Sequence, residues 1–104
     1  MGIKIVSKRK VVEEREPVVM PLIKELRKMA KDQRGFVSEE TWRHLERPEE
    51  YLVVREWDSE DDWDLWVSSE ERGRIQGEIE SLLEERTEYN LYEIIGRTEK
   101  KQEI

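Results

Sequence analysis

Residues 51–57 read Tyr51-Leu52-Val53-Val54-Arg55-Glu56-Trp57. The run is short, β-branched and aromatic, which is strand composition. A strand with one wet face alternates apolar with polar residues. This one does not: Tyr51, Val53 and Trp57 fall on one side, and Leu52 and Val54 on the other. Both sides therefore need a cover. Just before it, Arg47-Pro48-Glu49-Glu50 is a turn, with Pro48 presetting φ at the second position. Phe36 to Glu46 precedes the turn and reads as the pairing strand, Val37, Thr41 and Leu45 facing one way and Phe36, Trp42 and His44 the other. So short a link makes the two an antiparallel hairpin.

Upstream, Val19, Leu22, Ile23, Leu26, Met29 and Ala30 recur at helical spacing and form one apolar stripe. Pro17 and Pro21 each suit a first turn, but Pro21 inside a running helix costs a hydrogen bond. Gly35 supplies a left-handed C-cap, with Lys28, Lys31 and Arg34 near the negative end of the dipole. Ile3 to Val12 reads as a first strand, carrying Ile3, Ile5 and Val11 on one side and Val6 on the other. Its basic cluster, Lys8-Arg9-Lys10, is followed by Glu13, Glu14 and Glu16, and reads as a solvated strand edge.

Downstream, Ser59 and Asp62 are spaced as a capping box, and Trp63, Trp66 and Val67 then share a helix face. Ser68 and Glu71 repeat the signature, so the helix breaks and restarts there. The second piece buries Ile75, Ile79, Leu82 and Leu83, while Gly73 and Gly77 weaken it. Thr87 to Ile95 is a last strand, with Tyr89, Leu91 and Ile95 on one side and Tyr92 and Ile94 on the other. The order β-α-β-β-α-β is the ferredoxin-like α+β pattern: a four-stranded antiparallel sheet with helices on one face. One domain is expected over residues 1–96, with a polar C-terminal tail over 97–104.

Composition narrows the function classes. A chain of 104 residues, 36% hydrophobic and 43% charged, makes one domain with a modest core, which association would enlarge. The absence of cysteine excludes disulfides and thiolate chemistry and fits a reducing, cytoplasmic setting. No stretch has the length of a membrane span, and the opening residues hold no apolar signal core. A sequence pI near 4.9 argues against nucleic acid, which needs a basic face.

Glu60, Asp61, Asp62 and Asp64 read as a solvated acidic helix face. His44 is the single histidine, so one chain has no multi-histidine metal site, and neither metal nor cofactor is expected. The aromatics say more. Trp57, Trp63 and Trp66 bracket the entry into the second helical region. The helical spacing of Trp63 and Trp66 reads first as core and second as a ligand contact. Trp42 and His44 share a strand face that turns either to the helices or to a partner. His44 is the candidate proton-exchanging group.

Three segments resemble antibiotic biosynthesis monooxygenase-like proteins. These are Arg34-Gly35-Phe36-Val37-Ser38-Glu39-Glu40-Thr41, the run from Pro48 through Trp57 to Trp63, and Ser68-Ser69-Glu70-Glu71-Arg72. The resemblance spans nearly the whole chain apart from the tail. It implies a dimeric α+β barrel in which two sheets face one another, and so names a homodimer partner for the uncovered face of the Tyr51–Trp57 strand. It also implies cofactor-independent oxidation of a small aromatic or quinol substrate, in a small-molecule pocket lined by Trp66, Trp42 and His44. The alternative is a non-catalytic homodimeric module of the same fold that binds a small ligand or serves in regulation. For the haem-degrading branch of the family, the helix tryptophan matches Trp66, but the haem-ligating histidine falls on Gln76. The first-strand asparagine is also absent from the Ser7-Lys8-Arg9 neighbourhood. Haem degradation is disfavoured.

Overall fold

The computed structural model describes residues 2–100. They run β1 (Ile3–Lys10), a 3-10 turn (Glu13–Arg15), α1 (Glu16–Lys31), β2 (Phe36–Arg43), β3 (Glu50–Trp57), α2 (Glu60–Val67), α3 (Glu70–Leu82) and β4 (Glu88–Glu93). The four strands form one antiparallel sheet in the order β2-β3-β1-β4, the ferredoxin-like topology. No described helix is long and apolar enough to cross a membrane. Of the polar tail expected over 97–104, residues 97–100 carry no regular structure, and the rest lies outside the described residues.

Local signals set the helix starts. The Ser59 side chain accepts a hydrogen bond from the Asp62 amide and begins α2. The restart is capped by Ser69, which accepts from the Arg72 amide, one residue later than the Ser68–Glu71 spacing suggests. Ser68 closes α2 instead, its hydroxyl donating to the Asp64 carbonyl. Pro17 sits in the first turn of α1, where its missing N–H costs nothing, whereas Pro21 lies inside the helix. The apolar stripe of α1 still buries Val19, Ile23, Leu26 and Ala30.

That stripe meets Ile75 and Ile79 of α3, Trp66 of α2 and the inner face of the sheet: Ile5, Tyr51, Val53 and Trp57. Full burial of each such aliphatic side chain contributes roughly 1.5–3 kcal/mol. Among the described residues no helix covers the opposite face of the sheet, although Arg97 reaches Glu56 there. There Val6, Leu52 and Val54 form an apolar centre, and Lys4–Glu56 (3.4 Å) and Lys8–Glu50 (3.8 Å) ion pairs lie to either side. β3 is thus apolar on both faces, with helices covering only one.

Two departures from the sequence reading concern β2. Pairing with β3 shifts register between Phe36 and Ser38, a bulge that absorbs Val37. Because side chains alternate, that extra residue puts Phe36 on the helix side and Trp42 on the open side. The strand also stops at Arg43, three residues short of Glu46. His44 lies in the turn that follows.

Gly35 has φ +84°, the left-handed cap expected of it. A Cβ there would lie 2.3 Å from Asp62 Oδ2, in the very residue whose amide Ser59 caps. Gly35→Ala is therefore expected to cost about 1–3 kcal/mol in urea denaturation. A loss below about 0.5 kcal/mol would mean that neither strain nor crowding acts at this junction.

Candidate ligand site on the inner face of the sheet

The alternation that turns Ile3 and Ile5 inward also turns Ser7 and Arg9 inward. Arg9 is opposite Tyr51, and β1 lies between β3 and β4, so it is a central strand and no edge. The reading of Lys8-Arg9-Lys10 as one solvated cluster is corrected accordingly. Lys8 and Lys10 point to the open face, while Arg9 is 3% exposed. Its Nη2 donates to Gln76 Oε1 at 2.7 Å, and its Nε, also buried, has no partner among the described residues. Burial lowers its pKa to about 10; nearby Arg55 and Arg72 lower it too, and Tyr89 and Glu80 oppose them. The guanidinium remains charged at neutral pH.

Gln76 passes the contact onward. Its Nε2 donates to Glu80 Oε1 (2.5 Å) and to Thr87 Oγ1 (3.2 Å). Glu80 in turn accepts from the Thr87 amide. Among the described residues Arg9 forms no ion pair with a carboxylate. Arg55, also buried, differs: it is paired with Glu39, which Arg27 holds from the other side at 2.6 Å. The Arg55 guanidinium lies over the Trp66 ring, 6.0 Å from its centroid. Trp66 stacks against Trp57 at 6.4 Å, and Phe36 meets Trp57 edge-on at 5.7 Å. Trp57 Nε1 is buried without a partner. A packed aromatic cluster thus adjoins a set of buried polar groups, Ser7, Arg9, Arg55 and Gln76, on the inner face of the sheet.

Trp66 belongs to this cluster. Trp42 does not join it: the Val37 bulge places it opposite Leu52 on the open face, 49% exposed, with Nε1 donating to Glu40. Nor does His44. Its Nδ1 accepts the Glu46 and Arg47 amides at 3.0 and 2.9 Å, and its own amide donates to Glu50, so it holds the β2–β3 turn. The expected pocket of Trp66, Trp42 and His44 is not assembled within one chain. Arg9, Arg55 and Gln76 stand at the site instead. Arg9 shares odd-numbered positions with Ile3, Ile5 and Val11, and that parity was the available signal.

On α2, Glu60, Asp61 and Asp64 are exposed, while Asp62 is occupied by Ser59 and Arg34. Among the described residues no three His, Cys, Asp or Glu side chains gather as metal ligands. Haem does not suit these residues either. Gln76 stands where the resemblance puts the ligating histidine, and both ends of its amide are already engaged.

A family model described as antibiotic biosynthesis monooxygenase matches residues 2–78. No curated protein matches the chain. Among solved structures, a conserved protein from Methanosarcina mazei Go1 is 27% identical, with a TM-score of 0.83 over 88% of this chain and 91% of that one. SnoaB from Streptomyces nogalater, a cofactor-independent oxygenase, is 14% identical, with a TM-score of 0.82 over 92% and 95%. Rv0793 from Mycobacterium tuberculosis is 9% identical, with a TM-score of 0.85 over 95% and 100%. The last two show the fold alone.

The Arg9–Gln76 contact has a definite stability signature. Gln76→Leu leaves a buried guanidinium without its partner and is expected to cost about 1.5–3 kcal/mol. Arg9→Met removes the buried charge and is expected to be neutral or stabilising by about 1 kcal/mol or more. Urea denaturation of both variants checks this. Equal losses would mean that Arg9 is kept for stability.

Proposed function

Since the chain belongs to the antibiotic biosynthesis monooxygenase family, we propose that it is a cofactor-independent oxygenase for a small aromatic or quinol substrate, bound on the inner face of the sheet. The observation that carries this reading is the junction of the Trp57–Trp66 wall with the buried Arg55, Arg9 and Gln76 groups. SnoaB, of similar fold, supplies the reaction type.

For a hydroquinone the chemistry balances without any reductant. The substrate gives four electrons to O2; one oxygen atom enters the ring as a hydroxyl and the other leaves as water. The product is the hydroxyquinone. Ionising one substrate hydroxyl makes the ring a better electron donor, and a fixed positive charge nearby favours that ionisation. The aromatic wall orients the ring and keeps water from the reactive intermediate. In this reading His44 caps its turn and takes no part in proton transfer.

The same reading makes the protein a cytoplasmic homodimer. Val6, Leu52, Val54 and the exposed Trp42 and Tyr92 lie on the open face of the sheet, and the matching face of a second copy is the cover they fit. A non-catalytic binding module is the second reading. It is favoured by the place of His44, the candidate proton-exchanging group, which holds the β2–β3 turn and does not stand with Trp66 and Arg9.

Oxygen consumption with a panel of hydroquinones separates the two. An oxygenase takes up one O2 per substrate and yields a hydroxyquinone, with Trp66→Ala reducing the rate and His44→Ala leaving it intact. A binder is stabilised by a ligand that is recovered unchanged. Sedimentation at micromolar concentration is expected to show a dimer that Leu52→Asp converts to monomer; a wild-type monomer would contradict the sheet-to-sheet cover.

A further inference from the structure

Three features of the inner face point the same way. Arg9 is a buried cation that, among the described residues, hydrogen-bonds through its side chain only to a neutral amide, Gln76 Oε1, and leaves its Nε unpaired. The neighbouring acids are already used: Glu39 by Arg55 and Arg27, Glu80 by Gln76 and the Thr87 amide. Glu39 neutralises Arg55, but Arg72 at the rim, which donates to the Tyr89 hydroxyl at 2.5 Å, has no carboxylate partner among the described residues. Arg9 and Arg72 together outweigh Glu80, so the local sign is positive. That is the reverse of a chain whose formal net charge is −7. An apolar residue at position 9 would continue the inward row of Ile3, Ile5 and Val11 without any desolvation cost.

There is also a way in. Tyr89 and Leu91 pair with Ser7 and Ile5, and so face the helix side of the sheet. They nonetheless remain 36% and 42% exposed. The helix side of β4 is thus left partly uncovered beside Arg72, which donates to the Tyr89 hydroxyl, and Tyr89 is near enough to Arg9 to act on its charge.

We propose that this site takes an aromatic ligand bearing an anionic oxygen, a carboxylate or an ionised ring hydroxyl, which the Arg9 guanidinium holds while the ring lies along Tyr89 and Leu91 on the uncovered flank. The location rests on the oxygenase reading above; the charge preference does not depend on turnover. A charge-assisted bond from a desolvated guanidinium discriminates strongly between an anion and its neutral ester.

The test is isothermal titration calorimetry of the full chain under nitrogen, so that no oxygen is consumed. The probes are 2,5-dihydroxybenzoate against its methyl ester, and 2-hydroxy-1,4-naphthoquinone, an enolate at neutral pH, against its 2-methoxy ether. At least one anion is expected to bind about tenfold or more tighter than its neutral partner. Which pair shows the preference distinguishes carboxylate from ionised hydroxyl. Arg9→Met is expected to abolish the preference, bringing each anion to the affinity of its neutral partner, and Arg9→Lys to keep part of it. Equal binding of anion and neutral partner in both pairs overturns the proposal, and needs no variant to do so. Absence of binding by both anions, or a preference that survives Arg9→Met, overturns it as well. Arg9-dependent anion binding without oxygen uptake in air would sink the oxygenase reading and leave this one standing. Oxygen uptake with no anion preference would do the reverse.

Discussion

The two-residue alternation of β1 commits a guanidinium to the interior. Once Ile3 and Ile5 face the helices, Ser7 and Arg9 must do so too, because β1 is held in register by β3 on one side and β4 on the other. A one-residue slip would bury Lys4 and Lys8 and expose Ile5. The fold therefore accommodates Arg9, through Gln76 on α3 and, behind it, Glu80 and Thr87. That chain of contacts ties the end of α3 to the start of β4, and so shapes the flank beside Arg72 and Tyr89.

The same alternation divides the work between the faces of the sheet. The inner face carries the aromatic wall and the buried polar row. The outer face carries Val6, Leu52 and Val54 amid lysine–glutamate pairs. β3 contributes to both, with Trp57 and Arg55 inward and Leu52 and Val54 outward. A strand that carries apolar side chains on both faces does not alternate apolar with polar residues, which is what its composition shows.

Much of this was legible in the residues. The order of elements, the Ser59 cap, the Gly35 stop and the α1 stripe all follow from local chemistry, because each depends on side chains within one turn of the chain. The face on which Trp42 lies was not legible. The bulge at Val37 arises from pairing with β3, and no turn residue within β2 marks it. His44 looked like a strand residue because the apolar–polar alternation continues through Leu45, whereas the hairpin closes sooner, at the His44 amide. Arg9 was legible by parity but hidden by its neighbours: between two lysines, a buried arginine has the look of a surface run. Gln76 stands out only once Arg9 is placed against it.

The central claim is that a charged, desolvated guanidinium anchors the ligand of this protein. Nitrogen-15 NMR of the Arg9 Nε–Hε group tests it most directly, with Arg9→Lys assigning the signal. The expected result is a resolved cross-peak outside the common arginine envelope, slow to exchange with water at neutral pH, that shifts on addition of 2,5-dihydroxybenzoate and not of its methyl ester. An Arg9 signal within the envelope, in fast exchange and unmoved by either compound, would contradict it.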